Sequence, residues 1–337
     1  MKKYILAACA IIAIISLLSS CKKEILDVDL CNIPNTYRDM TADKHLTKIT
    51  QTEITGEGGE QERQITNSYS YYWNGNRLDS CVITGTPGAG QSNQSVTGYA
   101  YVTGTTVWTF EYSGNHITHI RGDYYRDIFE SDPDGNIGNF ICHEHEQLCN
   151  DTLYYDGDFL SRITLGRRHY PGLDININNG DDYYVYPIYD SLCNIIDYNV
   201  AQYHNNGKLV RPKCISQKNY EVVWSGRNMT THNDYYYEET TVYTYDSKIN
   251  VYRCLPRDLN IYYLLCGGGN GFTPYFSPFT TLSENNPNHE LITGNGSAAY
   301  GHYEYDGDYP ISYTYYFPYY RSYHTYYEYD DGTGKRD

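Results

Sequence analysis

The chain has 337 residues, 42 of them tyrosine, and its 25 Lys and Arg stand against 41 Asp and Glu for a formal net charge of −16. That acidity argues against nucleic acid or anionic lipid as a partner, because both are bound by cationic surface that displaces counterions. Tyrosine makes up so much of the 40% hydrophobic content that Leu, Met and Ala are too scarce for a helical protein. Tyrosine must therefore fill the core, with its ring buried and its hydroxyl bonded.

The first twenty residues read as an export signal. Lys2 and Lys3 form a positive start, and Ile5 to Leu18 is an apolar and small stretch of signal-peptide length, too short to span a bilayer. Leu18-Ser19-Ser20-Cys21 then resembles a bacterial lipobox. Cys21 is the expected lipidation site, and two or more acyl chains there would give a stable lipid anchor in a membrane. Lys22 follows where the aspartate of inner-membrane retention would stand, so an outer-membrane location is expected. Lys23-Glu24, with Asp27 and Asp29, resembles a surface-export signal and equally suits a solvated tether. The organisation is then a signal peptide over residues 1–20, a lipidated cysteine and flexible tether over 21–43, and a single all-β domain over 44–337.

From Lys44 the pattern has period two, the signature of strands. Trp73-Asn74-Gly75, Tyr112-Ser113-Gly114, Tyr155-Asp156-Gly157, Trp224-Ser225-Gly226 and Tyr305-Asp306-Gly307 share one form: aromatic, small polar residue, glycine. Each predicts a tight hairpin turn, with Asn74-Gly75 as the central pair of the first. Tyr189-Asp190, Tyr245-Asp246 and Tyr329-Asp330 look like the same signal without the glycine. Apolar spacing of helical period never persists over three turns, so helix content should be small. Gly267–Gly271 and Gly294–Gly296 are read as flanking a long irregular segment. The fold class expected is all-β: an antiparallel hairpin meander in a strongly curved or barrel-like single sheet.

Eight cysteines remain beside Cys9 and Cys21, namely Cys31, Cys81, Cys142, Cys149, Cys193, Cys214, Cys254 and Cys266. An even number in an exported protein predicts at least one disulfide, with many connectivities open. Glu130 to Asn136 has the acid spacing of a calcium loop, but Ile141 stands where the bidentate acid belongs, so a hairpin turn is the better reading. Cys142-His143-Glu144-His145-Glu146-Gln147-Leu148-Cys149 is the densest set of metal-ligand types. On a continuous strand His143, His145 and Cys149 would share one face and Cys142, Glu144 and Glu146 the other. That leaves a tetrahedral zinc site short of a ligand, and a solvated polar strand is expected instead. Gly-x-Ser-x-Gly, Walker-type and dinucleotide-binding patterns are missing, so neither an enzyme nor a cofactor is expected.

The lipobox, the aromatic-Asp/Ser-Gly hairpins, Leu282-Ser283-Glu284-Asn285-Asn286-Pro287 and Tyr303-Glu304-Tyr305-Asp306-Gly307 together resemble Bacteroidetes lipoproteins of an uncharacterised family. The resemblance covers residues 44–337. It implies a porin-like, all-antiparallel fold with tyrosine-aspartate hairpins, and it implies no activity and no catalytic residue. Two functions follow as expectations. The first is a non-catalytic binding or structural envelope protein engaging glycan or another envelope component. The alternative is a glycan-directed hydrolase with paired carboxylates in a curved-sheet cleft. Tyr303, Tyr305, Tyr313, Tyr315, Tyr327 and Tyr329 are the candidate ligand surface, against the competing role of cross-strand filler.

Overall fold

The structure is a computed structural model that describes residues 42–55, 63–85, 99–131, 137–166, 169–170, 175–176, 181–189, 195–204, 209–211, 220–234, 239–266, 278–293, 298–317 and 321–330. Alternation of buried and exposed side chains along aromatic and β-branched runs produces strands almost throughout. In chain order they are β1 (His45–Thr55), β2 (Arg63–Asn74), β3 (Arg77–Gly85), β4 (Tyr99–Ser113), β5 (His116–Ser131), β6 (Ile137–Asp156), β7 (Phe159–Leu165), β8 (His169–Tyr170), β9 (Ile175–Asn176) and β10 (Asp181–Tyr189). They continue as β11 (Ile195–His204), β12 (Leu209–Arg211), β13 (Tyr220–Ser225), β14 (Asn228–Asp234), β15 (Glu239–Ile249), β16 (Asn285–Thr293), β17 (Ala298–Asp306), β18 (Tyr309–Phe317) and β19 (Arg321–Asp330). Among the described residues one helix, α1 (Arg257–Cys266), lies between β15 and β16, with 3-10 turns at Val251–Cys254 and Pro278–Leu282.

The pairings are antiparallel. They run from β13 in sequence order to β19, from β19 to β1, from β1 to β7, and from β7 through β10 and β11 to β12. The sequence expectation of a strongly curved or barrel-like single sheet is corrected here. Among the described residues the strands form two sheets, of seventeen and two strands, the second being β8 with β9. The large sheet is an open meander, neither closed into a barrel nor strongly curled. Its ladder thins at β12, which meets β11 at Gln202↔Arg211 and Tyr203↔Leu209. Among the described residues no register joins β12 to β13. The long irregular segment is corrected in part, since within it Pro278–Leu282 is a 3-10 turn and Asn285–Thr293 is strand β16.

The hairpins are built to one rule. Gly75, Gly114, Gly157, Gly226 and Gly307 have φ of 58, 61, 61, 61 and 62°, the positive value that the first central position of a primed hairpin turn requires. The registers Asn74↔Arg77, Ser113↔His116, Asp156↔Phe159, Ser225↔Asn228 and Asp306↔Tyr309 make glycine the first turn residue. The small polar residue is the last of its strand, so the central pair of the first turn is Gly75-Asn76 and not Asn74-Gly75. Four residues after each glycine the register slips at a bulge, and one extra residue there turns two near neighbours to the same face. Leu78 with Cys81, Ile117 with Ile120 and Leu160 with Ile163 are buried pairs of this kind. At three bulges a hydroxyl bonds across the hairpin: Thr118 Oγ1 to the Glu111 carbonyl at 3.4 Å, Ser161 Oγ to Tyr154 at 3.0 Å and Thr230 Oγ1 to Val223 at 3.2 Å.

The aromatic before a turn docks on the preceding hairpin, with Tyr305 the exception, its hydroxyl bonding the Asp246 carboxylate instead. Trp73 Nε1 donates to the Leu46 carbonyl at 2.8 Å, Tyr112 Oη to Leu78 at 3.1 Å, Tyr155 Oη to Ile117 at 2.7 Å and Tyr189 Oη to Leu160 at 3.0 Å. Trp224 Nε1 reaches Ile195 at 3.1 Å, Tyr245 Oη reaches Met229, and Tyr329 Oη reaches Pro310 at 2.8 Å. The acceptor in each complete hairpin is the third residue after its glycine. The residue just before the acceptor covers the ring: His45 stacks on Trp73 at 4.1 Å, Arg77 lies over Tyr112 at 5.5 Å and His116 stacks on Tyr155 at 4.4 Å. Phe159 meets Tyr189 edge-on at 5.7 Å and Tyr309 meets Tyr329 at 5.5 Å. Strands β19 and β1 follow the same rule with no turn between them, through Asp330↔His45, Tyr329↔Leu46 and a bulge at Thr47.

Two variants test this rule by chemical denaturation. Tyr155→Phe keeps the ring and orphans the Ile117 carbonyl, and should cost about 1 kcal/mol. Gly157→Ala should cost about 1–2 kcal/mol although an added Cβ would meet nothing within 4 Å, because the strain is in the backbone. Gly157→Asn should cost less than Gly157→Ala, and the reverse order would refute the positive-φ explanation.

Candidate functional site

The interval between Tyr245 and Tyr305 holds the helical insert, which builds one side of a groove. The insert leaves β15 at Asn250, whose side chain accepts from Tyr252 N at 3.0 Å and donates to the Thr280 carbonyl at 2.9 Å. Pro256 opens α1, its carbonyl taking the N–H groups of Leu259 and Asn260 at 3.1 and 3.3 Å. The segment Leu282–Pro287 closes the insert. Ser283 Oγ accepts from Met229 N at 3.1 Å, and Asn285 Nδ2 donates to the Lys248 carbonyl at 2.9 Å. Asn286 Nδ2 donates to Ile249 at 2.7 Å, and its Oδ1 accepts from Val251 N at 3.1 Å. Ser283 and Asn286 are fully buried. The motif that carries the family resemblance is therefore a polar clasp around the insert.

Helix α1 sits on the sheet through two acids. Asp151, fully buried, accepts from Tyr262 Oη at 2.6 Å and from Gly166 N at 2.7 Å. Asp258 accepts from Ile117 N at 3.0 Å and meets His116 Nδ1 at 3.3 Å, while Asp158 stands 3.5 Å from His116 Nε2. The Arg253 carbonyl takes the N–H of Ala42 at 2.9 Å, which ties the segment before β1 to the insert.

Between these parts lies a groove of about 1090 Å³. The β1 end contributes Asp43, Lys44 and His45, and the hairpin ends contribute Trp73, Arg77, Tyr112, His116 and Asp158. The insert contributes Arg253, Arg257 and Asp258. Lys44 Nζ lies 4.6 Å over the Tyr309 ring, and Arg77 Nη2 donates to the Gly114 carbonyl at 2.6 Å. The bond and charge of Asp258, aided by Asp158, raise the pKa of His116 against the opposing effect of burial. Burial lowers the pKa of His45 against the pull of Asp330.

The structure places the six candidate tyrosines in or against the hydrophobic core cluster. Tyr303 and Tyr313 meet at 4.1 Å, Tyr303 and Tyr305 at 5.9 Å, and Tyr313 and Tyr315 at 6.0 Å. Tyr303, Tyr313 and Tyr327 are buried; Tyr305, Tyr315 and Tyr329 are half-buried against them. Tyr305 Oη bonds the Asp246 carboxylate. Burial raises the hydroxyl pKa values of Tyr303 and Tyr327. Among the described residues the aromatic rings most open to solvent are elsewhere, at Tyr326, Phe140, Tyr72 and Tyr125.

Cys21 and residues 132–136 of the apparent calcium loop lie outside the described residues, although β5 and β6 still pair at Ser131↔Ile137 beside that loop. The register of β6 changes the reading of Cys142–Cys149. Gly122↔Cys149 and Asp123↔Gln147 place a bulge at Leu148, which turns Cys149 to the face opposite His143 and His145. His143 bonds Asp127, and His145 Nε2 meets Asp123 at 2.8 Å, where Arg121 Nε also binds at 2.6 Å. Among the described residues no group of three or more His, Cys, Asp or Glu could hold a metal ion. Cys81, Cys142, Cys149, Cys254 and Cys266 are free thiols, and burial pushes that of Cys254 up to about 12. Cys31, Cys193 and Cys214 lie outside the described residues. No helix among the described residues is long and apolar enough to cross a membrane.

Sequence reasoning missed the groove residues. The usable signal was the position two residues after the turn glycine, which delivers Arg77 and His116 to the same edge.

No protein-family description matches the chain. No curated protein matches it either. Among solved structures it is similar to a porin-like protein from Bacteroides uniformis at 11% identity and a TM-score of 0.43, over 85% of this chain and 96% of that one. It is also similar to a porin-like protein from Bacteroides vulgatus at 13% identity and a TM-score of 0.29, over 85% of this chain and 99% of that one.

The His116 contacts predict a pH dependence. Its folded pKa is raised above the unfolded value near 6.5, so its stabilising contribution is complete below about 6.5 and is lost as pH rises through the raised value. His45, with its pKa lowered, acts in the opposite sense and loses stability as pH falls below about 6.5. Denaturation of wild type and His116→Gln across that range isolates the first effect. The stability difference should shrink as pH rises, and a difference independent of pH would contradict the assignment.

Proposed function

We propose that this protein is a non-catalytic, outer-membrane-associated lipoprotein, anchored through acyl chains on Cys21, that binds carbohydrate or another envelope component in the groove. The observation that carries the reading is the groove itself, a concavity of about 1090 Å³ with ring edges, amides and charged groups converging on it. A hydrolase would need two carboxylates free to act across a substrate. Here Asp258 is engaged by Ile117 N and His116, and Asp158 faces the same imidazole. Support for the anchor comes from the lipobox at Leu18–Cys21 and the positive start before it.

Two experiments test the reading. A glycan array probed with residues 22–337, paired with product analysis, should show binding without turnover. Turnover would establish the hydrolase alternative, and silence in both would reduce the protein to a scaffold. Cys21→Ser should remove the acyl mass increment and release the protein from the membrane fraction; membrane retention of that variant would overturn the anchor.

A further inference from the structure

We infer that the groove selects an acidic oligosaccharide, its carboxylates held among Lys44, Arg77, Arg253 and Arg257. This rests on the carbohydrate-binding reading above and adds the class of sugar. The chain as a whole carries 41 acids to 25 Lys and Arg, whereas the groove lining holds four Lys and Arg beside the three acids Asp43, Asp158 and Asp258, with Glu284 reaching Arg253 at 4.0 Å. Two of those acids flank the His116 ring, at 3.5 and 3.3 Å. When the imidazole is protonated it offsets one of their charges, which leaves the cations in excess.

The cations are also held in place. Lys44 lies 4.6 Å over the Tyr309 ring and Arg77 lies 5.5 Å over Tyr112, so less side-chain freedom is lost when an anion arrives. Arg253 and Arg257 stand on either side of Pro256, where α1 opens with the positive end of its dipole toward the groove residues. The Asp258 side chain in that first turn is committed to β5 through Ile117 N. Guanidinium groups pair with carboxylates through two parallel bonds. An acidic exterior repels extended polyanions, whereas a short oligomer can enter the groove and leave that exterior behind.

The test is calorimetric titration of residues 22–337 with oligogalacturonate and with the same oligomer fully methyl-esterified. The acid form should bind, weaken with added salt, and lose affinity roughly tenfold or more on esterification. Arg253→Gln with Arg257→Gln should reproduce that loss, and Lys44→Gln provides a second variant that leaves the insert untouched. Equal binding of acid and ester, or no binding of the acid, overturns the inference. If neutral glycans still bind on the array, the carbohydrate reading survives and charge selection alone fails; if no glycan binds, both fall together.

Discussion

The structure depends on a hydrogen bond that crosses from one hairpin to the one before it. A tyrosine hydroxyl or tryptophan N–H, placed just before a turn, reaches a backbone carbonyl exposed by the neighbouring bulge. The carbonyl would otherwise be buried without a partner, at a cost of a few kcal/mol. The ring that carries the donor fills the space that leucine occupies in other proteins. One residue thus supplies core volume and polar satisfaction together. Turn, bulge and ring are interdependent: the glycine sets the register, the register sets the bulge, and the bulge presents the acceptor.

The helical insert is the main departure from this repetition, and the groove exists because of it. Tyr245 still docks on Met229 as the rule requires, but the chain then leaves the sheet instead of turning. The Ser283-to-Asn286 clasp restores the register on return, with Tyr245↔Pro287 and Ile249↔Asn285 marking the two sides. Polar residues buried this completely need every bond made, which accounts for the dense asparagine content of that motif. The insert lies over ring sockets whose covering residues, His45, Arg77 and His116, were set by the repeat. A structural position in each hairpin thereby becomes a lining position once something is laid across it.

The strands and turns were legible because period-two alternation and positive-φ glycine are local properties. The turn centre was misplaced by one residue, since Asn-Gly and Gly-Asn are both good turn pairs and the choice is made by cross-strand register. Helix α1 was hidden because Leu259 to Tyr263, Leu265 and Cys266 are all buried, and a helix covered on nearly every side shows no amphipathic stripe. Alternation says that Tyr303, Tyr313 and Tyr327 share a face and not that this face is the covered one.

The amino-acid sequence by itself determined the antiparallel strands and the turns, which are encoded in neighbouring residues. Tertiary structure alone decided that the meander stays open in two sheets, that Cys149 turns away from His143 and His145, and that Lys44, Arg77, His116, Arg253 and Arg257 meet around one groove. Those outcomes depend on bulges, on where the insert lands, and on packing between segments as far apart in the chain as Lys44 and Arg257. Such relations leave no local pattern to read, because their energetic origin lies in contacts that exist once the chain has folded.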